Sequence, residues 1–291
     1  MRALEIATTV LMLGTLTAFP LAASAQPSCQ PALSSPPLVT SGRLLVATNP
    51  TAAPMQYTDK NGKLLGLDID FGNMIAKRLC LKMKWVRTEF ATMIPGLKSG
   101  RFDMVDTFMY YTEQRAAQVH MVPYGAATLA IVVPRSNNKP ISNLSYFSGK
   151  SFGTQLGSTD DKFARDESDK LVKAGKAPIN IRTFPNYADV LQALKAGQVK
   201  GAFIGTEQAY FYLKQGQNFF RVAATGLVPH AEALAFKSRT IARKVAEALN
   251  KMKADGSFDK LFNSYHHCTL PPPYKITTGP IAQPKCVSEK S

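Results

Sequence analysis

The run RLLVATNPTAAPMQYTDKNGKLLGLDIDFGNMIAKRLCLKMKWVR, residues 43–87, decides the fold. Its ends read as short β-strands, Arg43–Thr48 and Lys82–Arg87, and its centre reads as a helix over about 68–79. Apolar residues recur at helical spacing in that centre, and Asp68 and Asp70 stand where the positive end of a helix dipole favours acids. Strand, helix and strand in this order predict one unit of a parallel α/β layer.

The same alternation continues on both sides of a polar break at residues 134–140 (PRSNNKP), which contains two prolines. Strands are predicted at 102–107, 129–133, 151–154, 179–183 and 201–204, and helices at 93–98, 160–174, 188–196 and 207–214. The chain then returns through 227–236 to helices at 240–254 and 257–265. A chain that leaves one lobe, builds a second and comes back needs two connecting strands. We therefore expect two Rossmann-like α/β lobes, a two-strand hinge and a cleft between the lobes.

The N-terminus has the features of an export signal. An apolar stretch follows Arg2 and ends at Ala23-Ser24-Ala25, which predicts a signal peptide, residues 1–25, cleaved after Ala25. No later segment is apolar over the roughly 20 residues that a membrane span needs. The mature chain is predicted to consist of a leader at 26–42, lobe 1 at 43–133 plus 231–265, lobe 2 at 134–230, and a cysteine-bounded tail at 266–291.

Charge and cysteine content narrow the function classes. The net charge is +15, but Lys and Arg are scattered among acidic residues, which disfavours nucleic-acid binding. The positive charge could attract anionic solutes, or could simply belong to a solvated surface. Four cysteines in an oxidising compartment indicate disulfides, and four allow three pairings. We favour Cys268 with Cys286, which closes the tail, and Cys29 with Cys80, which pins the leader. No second ligand cluster with zinc spacing accompanies the histidines before Cys268, so no metal is expected.

A series of motifs in chain order now carries a resemblance. They are ATNPT (47–51), NGKLLGLDID (61–70), IPGLKSGRFD (94–103), TEQR (112–115), GKSFG (149–153), LQALKAG (191–197) and KADGSFDK (253–260). Together they resemble family 3 of the bacterial extracellular solute-binding proteins, the polar amino-acid receptors of ABC importers. The resemblance implies a periplasmic binding protein type II-like fold, closure on a small ligand, a monomer without a cofactor, and an inner-membrane ABC permease as partner.

The resemblance also implies a carboxylate site. Arg115 stands at the position of the family's ligand-binding Arg, and a guanidinium matches a carboxylate in two parallel hydrogen bonds. Ser158 and Thr159 precede a predicted helix, whose N-terminal N–H groups favour an anion. Alternatively, Arg115 is an ordinary surface residue, and Ser158 or Thr159 only caps the N-terminus of its helix.

Several positions depart from the family's pattern. Asn49 replaces an Asp, Ala52 replaces a covering aromatic residue, Tyr110 replaces a hydroxyl residue, and Gly205 replaces the Asp that holds the ligand's ammonium group. Glu207 could supply the missing charge, or could simply favour the start of its helix. An ordinary basic amino acid is therefore not the expected ligand.

Phe108 and Tyr110 could line the cleft with aromatic rings on which a ligand stacks.

Two rival functions remain open. A prephenate or arogenate dehydratase is similar in fold, and Glu207 would be its general acid. The second rival is a sensor that presents its closed form to a membrane receptor.

Overall fold

The computed structural model describes residues 29–284 and confirms the alternating α/β architecture. Its first part contains strands β1 (Arg43–Thr48), β2 (Thr51–Ala52), β3 (Gln56–Thr58) and β4 (Leu64–Leu65), helix α1 (Leu67–Arg78), strand β5 (Lys82–Arg87), helix α2 (Met93–Ser99), strand β6 (Met104–Val105), helix α3 (Glu113–Ala116) and strand β7 (His120–Pro134). Its second part contains strand β8 (Ser151–Gln155), helix α4 (Thr159–Lys173), strand β9 (Asn180–Phe184), helix α5 (Tyr187–Lys195), strand β10 (Ala202–Gly205), helix α6 (Thr206–Lys214), strand β11 (Phe220–Phe236), helices α7 (Arg239–Ala254) and α8 (Ser257–Ser264), and strand β12 (Cys268–Thr269). No helix within residues 29–284 combines the length and the apolar character needed to cross a bilayer.

One sheet runs through the molecule in the order β5-β1-β6-β11-β7-β10-β8-β9, with β12 added to β7. The strands β5, β1 and β6 are parallel and form the first half-sheet; β10, β8 and β9 are parallel and form the second. The antiparallel pair β7 and β11 joins them, because β11 also pairs with β6 and β7 also pairs with β10. These two long strands are the expected two-strand connection.

The two long strands differ from the sequence-based expectation. We expected a strand at 129–133 and a return at 227–236, but β7 begins at His120 and β11 at Phe220. Pro123 and Gly125 suggest a break in β7, yet nearly all of this strand is buried and paired with β11, so tertiary pairing overrides the local signal. The strand expected at 102–107 shortens to Met104–Val105 because only those residues pair with neighbours.

Aromatic packing anchors α1 on the first half-sheet. Phe71 is fully buried, and its ring centroid lies 4.9 Å from that of Tyr124 and 5.1 Å from that of Phe262. Such tilted and edge-on contacts add to the area that large rings bury. The helix is thereby fixed against β7 and α8, and its N-terminal Asp68 becomes buried.

The leader is held to the body of the protein. Cys29 and Cys80 form a disulfide across 51 residues, which confirms the predicted pairing, and Leu33 and Leu38 are buried. Cys268 is also disulfide-bonded, but its predicted partner Cys286 lies outside the described residues, as does the predicted signal peptide at 1–25.

Candidate functional site

A small cavity lies where the carboxyl ends of the parallel strands from both half-sheets meet, the place at which open α/β sheets bind ligands. Its walls come from both sides of the cleft: Asn49, Gln56, Phe90, Thr107, Phe108 and Tyr110 from the first part of the chain, and Gln155, Ser158, Thr159, Asp160 and Tyr187 from the second. The cavity volume open to the centre of a water molecule is about 10 Å³, on the order of a single water. An amino-acid-sized ligand enters only if the two walls move apart.

Arg115 does not itself line this cavity, but it contacts lining residues and bridges the cleft. Its Nη1 donates to the carbonyl of Tyr110 at 2.7 Å, and its Nη2 donates to the carbonyl of Gly157, on the opposite wall, at 3.1 Å. The guanidinium carbon lies 5.3 Å from the ring centroid of Phe90. Burial lowers the pKa of Arg115 to about 10, against the favourable field of Asp160, so it stays charged at neutral pH. A guanidinium has five N–H donors, which leaves donors for a ligand.

The N-terminus of α4 forms part of the opposite wall. Ser158 is its N-cap: its hydroxyl accepts from the Asp161 N–H at 3.1 Å and donates to the Gln155 carbonyl at 2.6 Å. Thr159 is the first helical residue and lines the cavity. The predicted residues Ser158 and Thr159 therefore lie at the cavity, and capping already occupies the Ser158 hydroxyl.

Asp160 is one of several cavity residues that sequence reasoning missed; the others are Gln56, Phe90, Thr107, Gln155 and Tyr187. Asp160 is 1% exposed, and the Tyr187 hydroxyl donates to its Oδ2 at 3.4 Å. Its Oδ1 has no hydrogen-bond partner among residues 29–284. Burial raises the pKa of Asp160 to about 6. An acid inside the first turn of a helix that follows Gly-Ser-Thr was the available signal, but helix-dipole stabilisation explains the same pattern.

Two further cavity atoms also have no partner within the described part of the chain. They are Oε1 of Gln56, which is 2% exposed, and the hydroxyl of Tyr110, which is 4% exposed. Asn49, by contrast, is engaged: its Nδ2 donates to Glu89 Oε2 at 3.1 Å, and its Oδ1 accepts from Thr51 at 2.6 Å. Buried polar atoms normally have partners, so unpaired atoms that converge on one cavity indicate a place for a polar ligand.

Phe108 occupies the space beside Gly205. A Cβ on Gly205 would lie 3.1 Å from Cε1 of Phe108, so any larger residue at 205 would meet this ring. Phe108 itself adopts a φ of 56°, and its ring centroid lies 5.4 Å from that of Tyr110. A bulky residue at such a φ is unusual and is held in place by its surroundings. The wall near Gly205 is therefore apolar.

Glu207 does not line the cavity. Burial raises the pKa of Glu207, and its strongest electrostatic neighbours are His267 and Glu232. Those two residues form a buried pair with His267 Nε2 and Glu232 Oε2 at 2.6 Å. Burial alone would lower the pKa of His267, but the acids around it, Glu232 above all with Glu207 and Asp68, together raise that pKa to about 9. The structure thus brings Asn49, Phe108, Tyr110, Ser158 and Thr159 to the cavity. Arg115 and Glu207 do not line it, although Arg115 contacts the lining residues Tyr110 and Phe90.

This chain is similar in sequence to known proteins. Residues 44–267 match the family model of the bacterial extracellular solute-binding proteins, family 3. A probable histidine-binding protein of Campylobacter jejuni is 26% identical over 228 residues, which cover 76% of this chain and 84% of that protein.

This chain is also similar to proteins of known structure. An ancestral arginine-binding protein bound to glutamine is 34% identical and has a TM-score of 0.70, covering 78% of this chain and 98% of that chain. An ancestral amino acid-binding protein described as a precursor of cyclohexadienyl dehydratase is 29% identical with a TM-score of 0.68, covering 77% of this chain and 95% of that chain.

Proposed function

The chain belongs to family 3 of the bacterial extracellular solute-binding proteins, and from that premise we propose that it is the periplasmic, monomeric receptor of an ABC importer. In this proposal a signal peptide is cleaved after Ala25. Lobe 1 (43–133 plus 231–265) and lobe 2 (134–230) close on a small polar ligand that carries a carboxylate, an amino acid or a related organic acid. The inner-membrane permease recognises the closed form.

The observation that carries the proposal is the convergence of unpaired polar atoms from both walls on one cavity. Gln56 and Tyr110 contribute from one wall and Asp160 from the other. Direct bonds also cross the cleft, since Gln208 Nε2 donates to the carbonyl of Thr51 at 3.1 Å. A ligand that contacts both walls stabilises the closed form in proportion to its preference for that form.

Arg115 is proposed to bind the ligand's carboxylate. It keeps its bond to the Tyr110 carbonyl, while the Nη2 that now donates to Gly157 turns to the ligand. The N–H groups at the start of α4 face the same space, near Thr159. A planar fork of donors and a helix N-terminus together favour a carboxylate over a neutral group.

The test is a thermal-shift screen of the mature protein against amino acids and organic acids, with glutamine, arginine and histidine included because relatives are named for such ligands. A ligand at about 100 times its Kd adds about 2.7 kcal/mol of stability. Titration calorimetry then compares the wild type with Arg115→Ala, which should lose on the order of 2 to 5 kcal/mol of binding free energy.

Arg165→Ala is the matched control. This Arg is exposed on α4 and pairs with Asp161 at 3.0 Å, away from the cavity lining. Its removal changes the net charge equally but should leave affinity unchanged. Equal affinity of the wild type and Arg115→Ala would refute the placement of the carboxylate site.

A dehydratase is the second candidate, because one similar structure is described as a precursor of cyclohexadienyl dehydratase. The acid predicted for that chemistry, Glu207, does not line the cavity, which argues against it. Purified protein incubated with prephenate settles the matter: formation of phenylpyruvate, lost in Glu207→Gln, would establish the enzyme.

A further inference from the structure

We propose that Asp160 binds the α-ammonium group of the ligand and so makes the protein select solutes that carry this group. The inference rests on the proposed function and assigns the ligand class of the same cavity. The proposed cation site lies in the first turn of α4. It is on the same wall as the end of β10, where Gly205 has no side chain that could bind a cation.

The hydrogen-bonding capacity of the cavity supports a donor-rich ligand. Oδ1 of Asp160 and Oε1 of Gln56 are acceptors without partners in the described chain, and both residues are at most 2% exposed. Buried acceptors that lack donors cost free energy until a ligand supplies those donors. An ammonium carries three N–H donors and no acceptor, so it satisfies such atoms directly.

The neighbouring acid shows that this arrangement is not a general property of the helix start. Asp161 is already paired: its Oδ1 accepts from Arg165 Nε at 3.0 Å and from Thr154 Oγ1 at 3.3 Å. Asp161 does not line the cavity, whereas Asp160 does. Capping by Ser158 and the pairing of Asp161 complete the local structure of the helix, while Oδ1 of Asp160 stays unpaired in the described chain.

The other acid near Gly205 is unsuited to the role. Glu207 follows Gly205 by two residues but does not line the cavity, and its strongest electrostatic neighbours are His267 and Glu232. Phe108 fills the space in front of Gly205. A ligand's cation therefore meets Asp160 before any carboxylate of α6.

The charged and polar groups around Asp160 leave its carboxyl able to bind a cation. Arg115 and Tyr187 interact with it electrostatically, Tyr110 does so from the facing wall, and Asp161 adds a like charge. Arg115 donates to two backbone carbonyls, which leaves the Asp160 carboxyl partly uncompensated. With a pKa of about 6, it is mostly ionised at neutral pH, and a bound cation favours the ionised form further.

The experiment compares amino acids with analogues that lack only the α-ammonium. The pairs are L-glutamine with glutaramate, L-arginine with 5-guanidinopentanoate, and L-histidine with imidazolepropionate. Affinities are measured by calorimetry at pH 7.5 for the wild type, Asp160→Asn, the control Asp161→Asn and the alternative Glu207→Gln. Circular dichroism first establishes that each variant is folded.

We expect the wild type to prefer at least one ammonium-bearing member, and Asp160→Asn to reduce that preference at least tenfold, about 1.4 kcal/mol. Asp161→Asn and Glu207→Gln should keep it. Affinity of the wild type for the preferred compound should also fall as the pH drops through about 6, and the fall should be absent in Asp160→Asn.

Four results would overturn the inference. An unchanged preference in Asp160→Asn, or a preference of the wild type for the analogues without ammonium, refutes it and leaves the proposed function standing. Loss of the preference in Glu207→Gln alone transfers the role to that residue. Failure of the wild type to bind any of the six compounds refutes the proposed ligand class, and the inference with it.

Discussion

Replacing Asp160 by Asn should stabilise the ligand-free protein at neutral pH. Burial raises the pKa of this carboxyl from 3.8 to about 6, so the folded state holds the proton more tightly than the unfolded state. The resulting stability is fully present below pH 3.8 and is lost as the pH rises through about 6. The difference, 6 − 3.8 = 2.2, corresponds to about 3 kcal/mol at 1.36 kcal/mol per pH unit.

Urea unfolding of the wild type and Asp160→Asn between pH 4 and pH 8 measures this effect, with the single tryptophan, Trp85, as a fluorescent reporter. The variant should match the wild type near pH 4 and exceed it by up to about 3 kcal/mol above pH 7. Other titrating groups are common to both proteins and cancel in the difference. A difference that does not change with pH, or a variant that is less stable at pH 7.5, would refute the assignment of a buried, unpaired carboxyl. Stabilisation together with loss of ligand preference would be the expected signature of a binding residue.

Three further predictions concern the frame around the site. Breaking the Cys29–Cys80 disulfide by replacing both residues with Ser should cost roughly 4 kcal/mol by the loop-entropy relation for 51 residues, measured by urea unfolding, with an unchanged midpoint counting against it. The pKa of His267, about 9, lies above its ordinary 6.5, so the pair with Glu232 adds stability below pH 6.5 that disappears as the pH rises through 9; His267→Gln should abolish this pH dependence. Gly125→Ala places a Cβ 2.5 Å from Glu232 Oε2 and should destabilise the fold by on the order of 3 kcal/mol, whereas a wild-type melting temperature would show that the pair can shift.

Local sequence patterns predicted most of the regular structure. The strand Lys82–Arg87 matches its expected bounds, and α4 lies within one residue of the expected 160–174. These segments combine side-chain periodicity with end signals such as Ser158, and both signals depend on residues a few positions apart. The early part of β7 was missed because Pro123 and Gly125 contradict the strand that its pairing with β11 imposes.

Part of the candidate site could also be anticipated. The family motif predicted Arg115 and the start of α4 as site residues; Ser158 and Thr159 line the cavity, and Arg115 donates to the carbonyl of Gly157 just before them. The role considered for Glu207 did not anticipate its position, since its environment is set by His267, a residue far along the chain. Asp160 was passed over because an acid at a helix start has an ordinary local explanation.

The sequence by itself determined the alternation of strands and helices, the export signal as a prediction, and the family motifs that position Arg115. Only the tertiary structure decided which acid faces the cavity, that Phe108 fills the space beside Gly205, and that His267 pairs with Glu232 across 35 residues. The physical reason is range. Helix and strand preferences depend on near neighbours, whereas burial, charge pairing and the meeting of strand ends depend on groups that the folded chain brings together from distant positions.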